Sequence, residues 1–180
     1  MSVFQVPTRN EVTPANQAIF DQLEKGLGFV PNLYATFATS DNALGNFLGF
    51  ANGKSSLSKK QQEVINLTVS QVNDCTYCLA AHTAIGGSQG LSNDQILELR
   101  EGYASFDAQL NALAEFAAET AIQRGKPSLT TVQALFDAGF TRENVVDAVL
   151  VIGEITVTNY LHGITQVPVD FPAAPSLALV

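Results

Sequence analysis

The chain has 180 residues, the size of one globular domain, and 46% of them are apolar against 14% charged. That balance excludes a disordered chain, because a core can be buried and little charge opposes it. Nine Lys and Arg against seventeen Asp and Glu give a formal charge of -8, and no basic run exceeds Lys59-Lys60, which argues against nucleic acid and anionic membrane surfaces as partners.

Pro7 and Pro14 frame an extended N-terminal arm, 1–14, without periodicity. Ala15 to Leu27 places Ile19, Phe20, Leu23 and Leu27 at helical spacing, and Gly26 and Gly28 end that helix. Phe29-Val30-Pro31-Asn32 reads as a turn before Leu33 to Thr39, and Asp41 as the N-cap of a helix from Ala43 to Ala51 closed by Asn52-Gly53. Ser58-Lys59-Lys60-Gln61 has the Ser-x-x-Gln form of a capping box; Val64, Ile65, Leu67 and Val72 then give an apolar face ending near Asn73. A second helix starts close to Asp74 or Cys75 and runs to Gly86-Gly87, so that 58–90 forms a helix pair.

Ser92-Asn93-Asp94-Gln95 repeats the capping box and opens a short helix. Phe106 to Arg124 carries Leu110, Leu113, Phe116 and Ala117 on one side before Gly125-Lys126-Pro127 breaks it, and Thr130 to Asp137 is stopped by Gly139. Thr141 to His162 is the last long segment, and it is rich in valine, isoleucine and threonine, which favour strands. Its length and the (i, i+4) ladder of Val145, Val149 and Gly153, with room for tight packing at the glycine, predict a helix instead. Pro168, Pro172 and Pro175 mark an extended tail over 166–180. The class is all-α, a compact helical bundle in one domain over 1–180, without the sustained heptads of a coiled coil.

Low charge in a chain this apolar predicts oligomerisation, with apolar surface buried between subunits. The opening MSVFQVPTRNEVTP has no cationic flank before an apolar core, and Val145 to Ile155 is interrupted by Asp147, Gly153 and Glu154. Neither reads as a secretory signal or a membrane span, and a cytoplasmic location is expected. In that setting the only two cysteines, Cys75 and Cys78, point to redox or metal chemistry before a structural staple.

The informative run is Glu63 followed by Cys75-Thr76-Tyr77-Cys78-Leu79-Ala80-Ala81-His82. On a helix, Cys75, Cys78 and His82 fall within roughly 60° of one another. A cysteine reacts as its thiolate; a neighbouring imidazole can accept the proton, and helix N-terminal amides can stabilise the anion. A second thiol three residues away can attack whatever sulfur species the first forms and close a disulfide. Glu63 would orient the His82 tautomer if its helix packs antiparallel to the cysteine helix; alone it reads as a solvated acid in a first turn.

Other readings of the same residues stay open. Cys75, Cys78, His82 and Glu63 are acceptable zinc ligands, although three on one helix encircle an ion poorly. The cysteines could be small buried core residues. Covalent haem attachment fails because Leu79 follows the second cysteine, and a thioredoxin assignment fails for want of a βαβ pattern. His162, near Asn159 and Tyr160, is expected to cap a helix end as a cation, and Tyr77 to pack away from the thiol face. Glu143 precedes His162 by the interval separating Glu63 from His82, a possible trace of duplication.

The run Glu63, Cys75-x-x-Cys78, His82 resembles the signature of the alkylhydroperoxidase D-like (AhpD-like) branch of the carboxymuconolactone decarboxylase superfamily. The resemblance extends from Phe29-Val30-Pro31-Asn32 to Asp170-Phe171-Pro172. It implies an all-α bundle assembled as a trimer or hexamer, with thiol-dependent peroxidase or disulfide reductase activity and no bound cofactor. It also implies that Cys78 attacks a hydroperoxide, Cys75 resolves it, and His82 with Glu63 relays protons. A lipoyl protein or thioredoxin-like dithiol would restore the pair. Local physics alone favours the other order, because Cys75 lies nearer the helix N-terminus. Tyr77 stands where the best-known members have a histidine. Two alternatives remain: a lactone decarboxylase or isomerase on the same scaffold, whose chemistry needs no cysteine pair, and a non-catalytic redox-sensing oligomer.

Overall fold

The computed structural model describes residues 4–177, and the ordered backbone among them is helical, with no strand. A 3-10 turn at Arg9–Glu11 precedes α1 (Pro14–Leu27), α2 (Asn32–Phe37), α3 (Ala43–Ala51), α4 (Lys59–Val72) and α5 (Thr76–Ser88). Then follow α6 (Asn93–Arg100), α7 (Ala108–Ile122), α8 (Leu129–Asp137) and α9 (Arg142–Thr165). The N-terminal arm is thus extended only in part: Thr8 and Glu11 close a capping box around that turn. Residues 1–3 of the arm and 178–180 of the tail lie outside the described residues.

Local chemistry sets most of the boundaries. Ser58 Oγ accepts from the Gln61 amide at 3.2 Å while Gln61 Oε1 accepts from the Ser58 amide at 2.8 Å. Ser92 and Gln95 repeat the arrangement at α6. Gly28, at φ 83, ends α1 in the left-handed region, whereas Gly26 lies inside the helix. At α3 the expected cap is displaced by one residue: Ser40 Oγ, not Asp41, accepts from the amides of Asn42 and Ala43. α9 is helical throughout, so its length outweighs its strand-favouring residues.

The chain separates into two compact units. In the unit formed by residues 4–54 and 161–170, Phe20, Ala35, Phe37, Ala38, Leu44 and Phe47 make the core, with Phe37 stacked on Phe47 at 4.5 Å between ring centres. His162 belongs here: its Nε2 donates to the Val167 carbonyl at 3.2 Å, and burial pushes its pKa down. It therefore ties the chain leaving α9 as a neutral ring and not as the expected cation.

The unit formed by 55–160 and 171–177 is built round α4, which packs against α5, α6 and α7. Residues 63–70 are all buried, as a helix surrounded on every side requires. Leu67, Leu99, Leu113 and Leu135 are fully enclosed. α9 presents Ala148, Val151, Ile152, Ile155, Thr158 and Asn159 to this interior. The ladder expected to pack lies elsewhere: Val149 is exposed, and a Cβ at Gly153 would meet no atom within 4 Å. α9 is also longer than the apolar stretch Val145 to Ile155. By length and composition it could cross a membrane. Its polar residues, however, are engaged within the fold: Asp147 accepts from the Ser56 amide, and Asn159 donates to Ser70 Oγ and accepts from Asn73.

The enclosure of Leu67 gives a first test. Leu67→Ala should lower unfolding stability by about 2–5 kcal/mol, measured by urea denaturation, with the helical circular dichroism of the folded state retained.

Candidate active site

The turn between α4 and α5 makes the site. Asn73 caps α4, Asp74 takes a left-handed φ of 51, and Cys75 returns to extended backbone as the N-cap of α5. So short a connection sends α5 back along α4. This satisfies the condition under which Glu63 and His82 can meet. They do: His82 Nδ1 donates to Glu63 Oε2 at 2.7 Å.

Glu63 is therefore not the solvated first-turn acid that its position alone suggested. Only 7% of it is exposed, and its second oxygen accepts from Asn66 Nδ2 at 3.0 Å. A carboxylate held on both sides fixes the imidazole as the Nδ1–H tautomer and leaves Nε2 to accept a proton. Burial opposes charge on His82. The Glu63 carboxylate, by charge and by hydrogen bond, and then the charge of Glu154, outweigh it and raise the pKa above the ordinary 6.5.

Cys75 and Cys78 are joined as a disulfide, with Cα atoms 5.3 Å apart. Each is 2% exposed. The Cys78 amide donates to Cys75 Sγ at 3.2 Å, so the N-cap sulfur takes the place of the usual capping oxygen. His82 stands one turn beyond Cys78 on the same helix. Tyr77 packs away from the sulfurs, edge-on to Phe171 at 5.6 Å between ring centres.

In this state the sulfurs are spent on each other. Among the described residues no group of three or more His, Cys, Asp and Glu side chains is arranged to hold a metal ion. The possible duplication gains no support, since Glu143 is exposed and His162 turns to Val167.

Sequence reasoning missed two residues, both on α9. Thr158 places its hydroxyl oxygen 3.8 Å from Cys78 Sγ. Glu154, one turn earlier, interacts electrostatically with His82 and Glu63, and its pKa is raised chiefly by burial. The available signal was Glu154 itself, an acid beside Gly153 in the middle of a valine-rich helix.

The carboxymuconolactone decarboxylase family model matches residues 38–119, which contain α4, α5 and all four predicted site residues. A peroxidase-related protein of Silicibacter sp. TM1040 is similar over 93% of this chain and 91% of its own, at 26% identity and a TM-score of 0.80. Over the segment that holds the candidate site, the chain is thus similar to the carboxymuconolactone decarboxylase family.

Its fold is the AhpD-like one. A peroxidase-related protein of Ralstonia eutropha JMP134, described as an alkylhydroperoxidase AhpD core, aligns over 94% of this chain and 92% of its own, with 21% identity and a TM-score of 0.84. The debrominase Bmp8, solved in complex with 2,3,4-tribromopyrrole, shares the fold over 94% of each chain, at 16% identity and a TM-score of 0.77. None of the curated proteins matches the chain.

The two histidines should titrate on opposite sides of 6.5, His82 above and His162 below. Proton NMR of the imidazole carbons checks this, with His82→Asn assigning the peaks. Glu63→Gln should bring the His82 pKa down, because burial then acts with less opposition. The same shift sets a stability dependence. The folded pKa of His82 exceeds the unfolded value, so its contribution is complete below about pH 6.5 and is lost as pH rises through the folded pKa.

Proposed function

We propose that this protein is a member of the carboxymuconolactone decarboxylase family and a thiol-dependent peroxidase, with Cys78 as the attacking thiolate. The observation that carries the reading is the Cys75–Cys78 disulfide at the start of α5, one turn from an imidazole oriented by a buried carboxylate. The Nε2 of His82 takes the Cys78 proton. The thiolate attacks the terminal oxygen of a hydroperoxide; the S–O bond forms, the O–O bond breaks, and the departing alkoxide takes a proton to leave as alcohol.

The Cys75 thiol then attacks the Cys78 sulfenic acid, forming the disulfide and releasing water. A dithiol protein of the lipoyl or thioredoxin-like class restores both thiols by exchange and leaves as its own disulfide. No bound cofactor enters this cycle. Its need for a steady supply of thiol reductant fits a cytoplasmic setting.

The chain in this reading works as a homo-oligomer, a trimer or hexamer. The outer face of α9 supports it: Val146, Leu150, Val157 and Tyr160 are between 45% and 62% exposed and follow one another at helical spacing. Light scattering of the purified protein should give a mass above that of one chain, and Val157→Glu with Tyr160→Glu should lower it.

Intact mass before and after one equivalent of an organic hydroperoxide tests the chemistry. The reduced protein should lose two hydrogens, and Cys75→Ser should instead gain one oxygen at Cys78. An unchanged mass in both would leave lactone decarboxylation or a non-catalytic redox role on the same scaffold. Those two separate by whether a lactone is decarboxylated by Cys78→Ser.

A further inference from the structure

Thr158 is the feature of the site that the proposed cycle does not use. It comes from α9, lies within the interior with 7% of its surface exposed, and sets Oγ1 3.8 Å from Cys78 Sγ. In the disulfide state neither sulfur carries a proton. The Thr158 proton points to the Ile155 carbonyl at 2.8 Å, a back-bond of the kind threonine makes inside a helix. That carbonyl lies within an unbroken α9, where the helical ladder also supplies a backbone donor. The hydroxyl can therefore turn away without orphaning its acceptor.

We infer that Thr158 is a catalytic hydrogen-bond donor to Cys78, its hydroxyl turning from the Ile155 carbonyl to the sulfur when the disulfide opens and a thiolate forms. A hydroxyl donating to a charged sulfur gains more than one donating to a neutral carbonyl, so charge on Cys78 itself drives the rotation. The backbone need not move. The inference also bears on the order of the thiols. Cys75 has the Cys78 amide as donor, and Thr158 gives Cys78 a donor of its own beside the His82 base. It deepens the peroxidase reading and rests on it for the identity of the attacking sulfur, but the thiolate itself is measured without any peroxide.

The charged groups around the site are His82 from α5, Glu63 from α4 and Glu154 from α9, which interact with one another, and Lys59 from α4, which acts on Glu154. Thr158→Val removes the hydroxyl and keeps the shape and charge of the site, so these stay constant. The experiment is the thiolate absorbance of Cys78 against pH in a Cys75→Ser background. Thr158→Val should raise the thiol pKa by about one unit, and so lower the thiolate fraction on the acid side of the titration about tenfold. Thr158→Ser, which restores a hydroxyl, should return most of the shift.

Coincident titrations for Thr158→Val and its parent would overturn the inference. So would a Thr158→Ser protein that folds, by its helical circular dichroism, yet titrates like a valine variant. An equal shift of Cys75 in a Cys78→Ser background would overturn the assignment to Cys78. A shifted Cys78 pKa in a protein that leaves hydroperoxide untouched would refute the peroxidase reading and leave Thr158 as the donor.

Discussion

A carboxylate buried in the central helix of a bundle has to be met by a proton donor, and that requirement organises the unit that holds the cysteines. Glu63 lies on α4, among residues that are enclosed on every side. Leaving it unpaired there would cost more than most core substitutions. Asn66 occupies one oxygen and His82 the other. Because His82 is on α5, the pair fixes how that helix lies along α4, and with it where the α5 N-terminus presents its sulfurs. The ion pair is weak evidence of stability in itself. Its consequence is geometric: it determines which imidazole nitrogen stays available one turn from Cys78.

The cysteine pair depends on a different constraint, the placement of one sulfur outside the helix and one inside it. Cys75 is extended and Cys78 helical, which brings the two Cα atoms to 5.3 Å, within the range a disulfide bridges. The same position makes Cys75 the cap of α5, so opening the disulfide leaves its sulfur still held by an amide. Cys78, once its bond to Cys75 opens, keeps the Thr158 hydroxyl of α9 beside its sulfur, with His82 one turn further along α5. The two thiols therefore differ in what steadies their charge, one by backbone and the other by side chains.

Fold and site were legible to different depths. The caps could be read directly, since Ser58 with Gln61 and Ser92 with Gln95 act within four residues of sequence and form as their types predict. Glu63, Cys75, Cys78 and His82 could be read because a helical period places Cys78 and His82 one turn apart, Cys75 caps the same helix, and a short turn brings Glu63 to His82. Asp41 failed as a cap because Ser40, one residue away, reaches the same amides. The faces of α9 could not be read. Valine, isoleucine and threonine occur all round it, so a ladder of Val145, Val149 and Gly153 looked as suitable for packing as the Ala148, Ile152 and Ile155 line that does pack. Thr158 and Glu154 were hidden for the same reason: a residue's partners on a distant helix follow from which face turns inward.

That ambiguity of α9 has a physical source in its double task. One face must close the bundle over α4 and α5, and it carries the few polar groups whose partners lie there: Glu154, Thr158 and Asn159. The opposite face carries Val146, Leu150, Val157 and Tyr160 in contact with solvent in one chain. A helix apolar on both sides has no hydrophobic asymmetry to declare its orientation, so polar contacts must do so. Asn159 bridging Ser70 and Asn73, and Asp147 holding the Ser56 amide, supply it at two points along the helix. Rotating α9 by one residue, about 100°, would break both sets and carry Thr158 away from Cys78. The polar anchors that orient the helix therefore also hold the hydroxyl at the sulfur, and structural and chemical specificity come from the same few side chains.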